Sequence, residues 1–218
     1  MTDVWSDRAE GYRTSESHAT GDDLETLVAW CEPGKGTTAL DVATGGGHVA
    51  RRLREEGCTV VTSDPAPGMK PDVICRAEDL PFADGSFDVV VSRIAPHHFS
   101  DIGAAIAEMA RVSNGLVVIE DTLYLSEQQE QAEALRDPTH VRSYTEREWK
   151  QHLEAAGLEV ERVAFFEKLH ALDEWLARTG CEGEEAERVR DLLGPQLVED
   201  GKAWKDTKIL LRARKAAR

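Results

Sequence analysis

The chain has 218 residues, 41% of them hydrophobic and 31% charged, a length and balance that suit one full-sized globular domain with a sizeable core rather than a disordered chain. Its 26 Lys+Arg against 41 Asp+Glu leave a net charge of −15, so a polyanion meets repulsion in place of the basic footprint that nucleic acid or an anionic membrane requires. Neither class of partner is expected.

The first residues, Met1-Thr2-Asp3-Val4-Trp5-Ser6-Asp7-Arg8, carry no basic leader followed by an apolar stretch, and no run of about 18 apolar residues occurs that could span a bilayer. Cys31, Cys58, Cys75 and Cys181 are widely separated, with no C-x-x-C pair for zinc or redox work. Such thiols fit a reducing cytoplasm, and no metal site is expected.

In chain order, residues 1–36 read as a cap of two helices, with Leu24, Leu27, Val28 and Cys31 facing inward. Short apolar runs at 38–42, 59–62, 87–94 and 115–119, bounded by Gly, Pro or Asp, read as strands buried on both faces. Between them, residues 48–56 place Val49, Ala50 and Leu53 on one helical face before Gly57, and residues 102–112 align Ile102, Ile106 and Met109 before Asn114-Gly115. Strand, helix and strand in repetition imply a doubly wound, mostly parallel α/β sheet.

Further along, Thr145-Glu146-Arg147-Glu148 is a capping box opening a helix that carries Trp149 and Leu153 to a stop at Gly157. Residues 158–168 alternate like a strand, 172–178 and 184–193 read as helices, and 207–213 as a last strand. The basic stretch 202–218 reads as a solvated strand and fraying end, and Trp149, Trp175 and Trp204 as core, the last two also able to line an apolar pocket. One domain, 1–218, is expected: the cap, a cofactor-binding half at 37–121 and an acceptor-side half at 122–218. The additions at 1–36, 123–144 and 170–206 fall where such sheets cover their carboxyl edge, the usual ligand side.

The most informative segment is Leu40-Asp41-Val42-Ala43-Thr44-Gly45-Gly46-Gly47-His48-Val49-Ala50, a strand running through glycines directly into a helix. Glycines there permit a sharp turn and close approach of a ligand to the backbone. Gly45, Gly47 and Ala50 also satisfy the dinucleotide pattern G-x-G-x-x-A, which leaves a nicotinamide oxidoreductase as an alternative. Asp41, just before the glycines, would repel a pyrophosphate but suits an ammonium or sulfonium group. Asp64, followed by Pro65, closes the second strand, where a carboxylate accepts hydrogen bonds from ribose hydroxyls. Two acids, a glycine turn and no phosphate-binding lysine describe S-adenosylmethionine better than NAD.

These residues resemble the class I S-adenosylmethionine-dependent methyltransferases, and within them the small-molecule branch that includes ubiquinone- and menaquinone-type enzymes. Residues Asp41 to Ala50 are similar to the family's first motif and Asp64 to its ribose acid. Ala77-Glu78-Asp79-Leu80-Pro81-Phe82-Ala83-Asp84-Gly85-Ser86-Phe87-Asp88 resembles the adenine-side loop. Ser92-Arg93-Ile94-Ala95-Pro96-His97-His98-Phe99 is similar to the segment after strand four, and Tyr12-Arg13-Thr14-Ser15 with His18 to the N-terminal cap.

The resemblance implies a seven-stranded Rossmann-like sheet. It implies a donor site formed by Tyr12, Asp41, Ala43, Gly45, Gly47, Asp64, Pro65, Ala77, Glu78 and Arg93, with S-adenosylhomocysteine as product. The chain departs from the family at 65–71, too short for the usual crossover helix, so the third strand at 72–75 is expected to be stunted. Arg76 also stands where an acid is usual, leaving Glu78 and the Ala77 N–H as adenine partners. Ser113-Asn114-Gly115 replaces the usual turn before strand five.

Methyl transfer from a sulfonium needs alignment and exclusion of water more than it needs a base. Where the small-molecule acceptor must lose a proton, His97 or His98 at the mouth of strand four could take it. His18 and His140 lie in segments expected to cover the substrate, and His48 in the first turn of its helix. A protein of this fold that binds the donor without methylating, or that runs another reaction, is the remaining alternative.

Overall fold

A computed structural model describes residues 3–216 of the chain. Its sheet follows the order β3-β2-β1-β4-β5-β8-β6. The members are β1 (Thr38–Val42), β2 (Thr59–Asp64), β3 (Val73–Ile74), β4 (Phe87–Arg93), β5 (Ser113–Thr122), β6 (Leu158–Ala171) and β8 (Ala203–Lys215), with the two-residue β7 (Leu197–Val198) paired to β8. The strands from β1 to β5 pair in parallel, and β8 runs against its neighbours β5 and β6.

Both faces are covered, which is why the strands read as continuous apolar runs. Val90, Val117 and Ile119 pack under α5 (Ile102–Val112) and α7 (Glu146–Ala155), against Ile106, Met109, Trp149 and Leu153. Their neighbours Val89, Val91, Leu116 and Val118 point the other way, onto Leu24, Leu27 and Val28 of α3 (Asp22–Trp30) and Val49 and Leu53 of α4 (His48–Glu55). Local signals set the helix starts: Asp101 accepts the Ala104 N–H at 2.9 Å, and Thr145 and Glu148 form the reciprocal capping box.

Three expectations change, and the stunted third strand is found as expected. The cap holds three helices, α1 (Val4–Arg13), α2 (Glu16–Ala19) and α3, because the apolar stripe belongs to α3 alone and Gly21 turns the chain at φ 132°. The chain crosses from β2 to the stunted β3 through a single 3-10 turn at Pro67–Met69, on which α1 packs through Ala9, Ala66 and Met69. The segment 123–144 contains a helix, α6 (Glu127–Arg136), started by Ser126 accepting from the Gln129 N–H. With α8 (Leu172–Ala177), α9 (Gly183–Leu192) and Trp204 it builds a second small core beyond the sheet's carboxyl edge. The supposedly solvated last strand is interior: Ile209, Leu210 and Leu211 are buried in β8. Arg212 is neutralised there by Glu32 and Glu161, far away in sequence.

One buried cluster ties the cap to the sheet. Arg93, at the end of β4, donates to Asp23 Oδ2 at 2.5 Å, Glu120 Oε2 at 2.8 Å and the His18 carbonyl at 2.9 Å. Lys168 Nζ reaches the same Asp23 oxygen at 2.6 Å. Burial alone would raise the Asp23 carboxyl, but Arg93 and Lys168 hold it down at about 2. Removing the guanidinium strands two buried acids, so Arg93→Ala is expected to lose roughly 3–5 kcal/mol in urea unfolding, with Arg93→Lys falling between. A loss under about 1 kcal/mol, the scale of a surface pair, would show that this cluster does not hold the cap.

Candidate functional site

The strand order reverses direction between β1 and β4, and an open crevice is expected outside their carboxyl ends. A cavity of about 300 Å³ lies there, bordered by the glycine loop and by Ala43 and Ile94. Ala43 and Ile94 take left-handed backbone angles, φ 55° and 51°, a strain that alanine and isoleucine adopt at cost and that marks functional edges. Gly45 turns at φ 50°, and a Cβ there would meet nothing within 4 Å, so the space above the loop is open to a ligand.

Two carboxylates hold this loop. Asp41 Oδ2 accepts from Thr44 Oγ1 at 2.6 Å and from the Ala50 N–H at 3.2 Å, and burial pushes its carboxyl up to about 6. Asp64 accepts the Gly45 N–H at 3.0 Å on Oδ2 and the Ala66 N–H at 2.9 Å on Oδ1, with burial raising it as well. Both border the cavity, together with Tyr12, Ala43, Gly45, Pro65, Ala77, Glu78 and Arg93, whereas Gly47 sits behind the loop at the start of α4.

Two of these residues have other engagements. Glu78 Oε1 accepts from the Ser100 N–H and hydroxyl, both at 2.8 Å, and so fastens the loop to the residues before α5. Arg93 borders the cavity with its donors committed to Asp23, Glu120 and His18.

The cap closes one side. His48 Nε2 lies 2.9 Å from the Tyr12 carbonyl, and a Cβ on Gly46 would come within 2.6 Å of that same oxygen. The middle glycine is thus required by the cap rather than by a ligand. His48, read from sequence only as a first-turn residue, fastens the cap to the loop. Nothing in the sequence pairs His48 with Tyr12, because the acceptor is a backbone carbonyl.

A second, smaller cavity of about 50 Å³ adjoins the first, sharing Tyr12, His18, Ile94 and His98 as walls. His97 borders it, and its Nδ1 lies 2.5 Å from Asp121 Oδ1 at the end of β5. Burial keeps His97 well below its ordinary pKa and pushes Asp121 up to about 7, so the pair is held near neutrality. His98 packs on it at 4.0 Å between ring centroids, hydrogen-bonds the Thr139 carbonyl at 3.0 Å, and is pushed down to about 3 by burial and by His97.

His140 borders neither cavity. It sits behind His97, 5.5 Å between centroids, with Nε2 3.0 Å from Glu130, whose bond raises its pKa against the effect of burial. His18 borders both cavities and is kept neutral by burial. Trp175 and Trp204 are buried as expected and also border the second cavity. Arg136, Arg178 and Lys208 of these walls, and Asp121 behind His97, were missed from sequence, since each arrives from a separate segment without a motif.

Among the described residues no group of side chains could hold a metal ion, and no helix is long and apolar enough to cross a membrane. A family model described as a methyltransferase domain matches residues 12–163. The Bacillus subtilis uncharacterized methyltransferase YcgJ is 29% identical over 207 residues, covering 85% of this chain and 82% of that protein. A structure from Bacillus halodurans C-125, described as a methyltransferase, superposes with a TM-score of 0.81 at 28% identity over 90% of this chain and 100% of its own. The demethylmenaquinone methyltransferase of Beutenbergia cavernae is 38% identical over 88 residues, 36% of this chain and 37% of its own.

Two outcomes test this geometry. Gly46→Ala forces a methyl into the Tyr12 carbonyl, and overpacking of this kind costs about 1–3 kcal/mol. It should lower the melting temperature and speed proteolysis within residues 3–20, and a parent-like cleavage rate would separate the loop from the cap. A carboxyl raised by folding contributes most when protonated, so the parent loses stability as pH rises from about 4 to 6 through Asp41. Asp41→Asn should remove a share of that loss on the order of 2–3 kcal/mol, and identical pH profiles would contradict the assignment.

Proposed function

The chain belongs to the methyltransferase-domain family of class I S-adenosylmethionine-dependent enzymes, and from that premise we propose that it methylates a small organic acceptor held beside His97. One observation carries this reading: the donor-sized cavity over the glycine loop adjoins a small polar one, and His97, which borders the small one, is backed by Asp121. Bound S-adenosylmethionine supplies a methyl group on a sulfonium, already activated for in-line displacement.

The residues present fit such a donor. The open face of Gly45 admits its close approach, Asp64 stands at the ribose position, and Asp41 offers a carboxylate to the cationic end where a pyrophosphate would be repelled. The Ala77 backbone and Pro65 border the adenine side, with Glu78 holding that loop in place. Tyr12 and the cap exclude water.

His97 is the base where the acceptor must lose a proton. Its Nδ1 is tied to Asp121, so Nε2 is the nitrogen left to receive the proton as the acceptor's lone pair forms the new bond to carbon. Asp121 then faces the imidazolium and stabilises it. His98, packed at a tilt against His97 and reaching both cavities, positions the base, and His18 covers the acceptor from the cap. All four cysteines are free thiols, which supports a reducing cytoplasm as its place.

Calorimetry should show S-adenosylhomocysteine binding and NAD not binding. Asp64→Ala should weaken S-adenosylhomocysteine by about 1.5–3 kcal/mol, the scale of hydrogen bonds to a charged group. With an acceptor in hand, His97→Gln should lower kcat about 10²–10⁴-fold at unchanged donor affinity. Full turnover in that variant removes His97 as base, and donor binding with no S-adenosylhomocysteine released from any acceptor removes methyl transfer.

A further inference from the structure

The smaller cavity carries more positive charge than its own acids neutralise, in a chain whose net charge is −15. Its lysines are satisfied: Lys208 Nζ lies 2.5 Å from Asp206 and 2.7 Å from Thr122 Oγ1, and Lys168 pairs with Asp23. Its acids are also engaged. Asp137 pairs with Arg8 at 3.1 Å, and Glu133 accepts from Gln129 Nε2 at 2.8 Å while burial pushes its carboxyl toward the neutral form.

Two arginines remain. Arg136, the last residue of α6, lies over the Trp175 ring at 4.1 Å and donates Nε to the Trp175 carbonyl at 3.0 Å, with no carboxylate partner among the described residues. Arg178, the residue that ends α8, donates its backbone N–H to the Glu174 carbonyl, but its guanidinium makes no hydrogen bond or ion pair among the described residues. A helix C-terminus offsets only a fraction of a charge and leaves most of a guanidinium's five donors unsatisfied. Burial pushes Arg136 down to about 10 against the opposing pull of Tyr12 and Asp137, and the charge of Arg178 adds to the lowering.

The donor does not account for them. Both arginines border the small cavity and neither borders the larger one. They arrive on two separate inserted segments, α6 and α8, that converge on one space beside His97. Paired planar forks of this kind match the oxygens of a carboxylate or a phosphate.

We propose that Arg136 and Arg178 bind an anionic group of the methyl acceptor, a carboxylate or a phosphate, in the cavity they border with Tyr12 and Trp175. This rests on the reading of that cavity as the acceptor site. The acceptor is then a small acid whose anionic head is fixed at the arginines and whose nucleophilic atom is turned toward His97 and the donor cavity. Neutral isosteres such as amides or esters of the same acid bind poorly.

The test uses full-length protein saturated with S-adenosylhomocysteine, so that the donor's own carboxylate position is filled. Acetate and inorganic phosphate are titrated by calorimetry against chloride at constant ionic strength. The parent should bind acetate or phosphate and not chloride, and the tighter of the two identifies the head group. Arg178→Gln and Arg136→Gln should each weaken that binding about tenfold or more, with Arg178→Lys between, while S-adenosylhomocysteine affinity, which also reports a folded protein, stays at the parent value.

The proposal is overturned if neither anion binds above chloride, if both variants bind the anion like the parent, or if Arg178→Gln loses S-adenosylhomocysteine affinity instead. Should S-adenosylhomocysteine fail to bind the parent, the methyl-transfer reading falls separately. The arginine site is then judged by the same comparison of parent and variants without it.

Discussion

The structure depends on a guanidinium buried between the sheet and its cap. Arg93 leaves β4 where the strand order reverses, and its fork reaches Asp23 in α3, Glu120 in β5 and the carbonyl of His18. A buried ion cluster is weak evidence for stability in itself, because desolvation offsets most of the attraction. Its consequence here is positional. Three donors at fixed angles seat α2 and α3 on the sheet at one register. That seating puts His18 and Tyr12 over the crevice and lets His48 and Gly46 meet the Tyr12 carbonyl. The larger cavity has a roof because β4 ends in arginine.

The electrostatics inside run against those of the chain as a whole. Outside, acids outnumber bases. Inside, burial favours uncharged forms: Asp41 is raised to about 6 and Asp121 to about 7, while His97 and His98 are held below their ordinary values. Such a site is poised for a ligand that brings its own charges. A cation beside Asp41 favours the carboxylate and returns its pKa toward normal, so binding and deprotonation are linked. At the other end, two arginines that pair with no carboxylate among the described residues would favour an anion in the small cavity. A cationic donor and an anionic acceptor would then be drawn to opposite ends of one continuous space, with a neutral imidazole between them.

How far the sequence reveals this follows from which interactions are local. Strands buried on both faces announce themselves as apolar runs, and the glycine loop and the capping box at Thr145 act within a few residues of chain. The stunted β3 is legible because seven residues between Asp64 and Asp72 cannot carry a crossover helix. By contrast α1 buries little beyond Ala9, so no stripe marks it. The basic strand β8 looks solvated because the acids that balance Arg212, Glu32 and Glu161, lie far off in the chain. In the site, Asp41 and Asp64 stand out by their place after strands, but their grip on the backbone N–H groups of Ala50, Gly45 and Ala66 leaves no trace in side-chain pattern. Arg136 and Arg178 end helices that the sheet does not need, and only tertiary convergence brings them together.

The claim that the cap and the glycine loop act as one lid over the methyl donor is tested most directly by amide hydrogen exchange with and without S-adenosylhomocysteine. A region joined to a binding site through few contacts gains protection when ligand fills that site. The account predicts slowed exchange in residues 3–20 together with residues 43–50, at the same ligand concentration and to a parallel extent. Protection of residues 43–50 with no change in residues 3–20 would contradict it, leaving the donor bound to the sheet edge beneath a cap that takes no part.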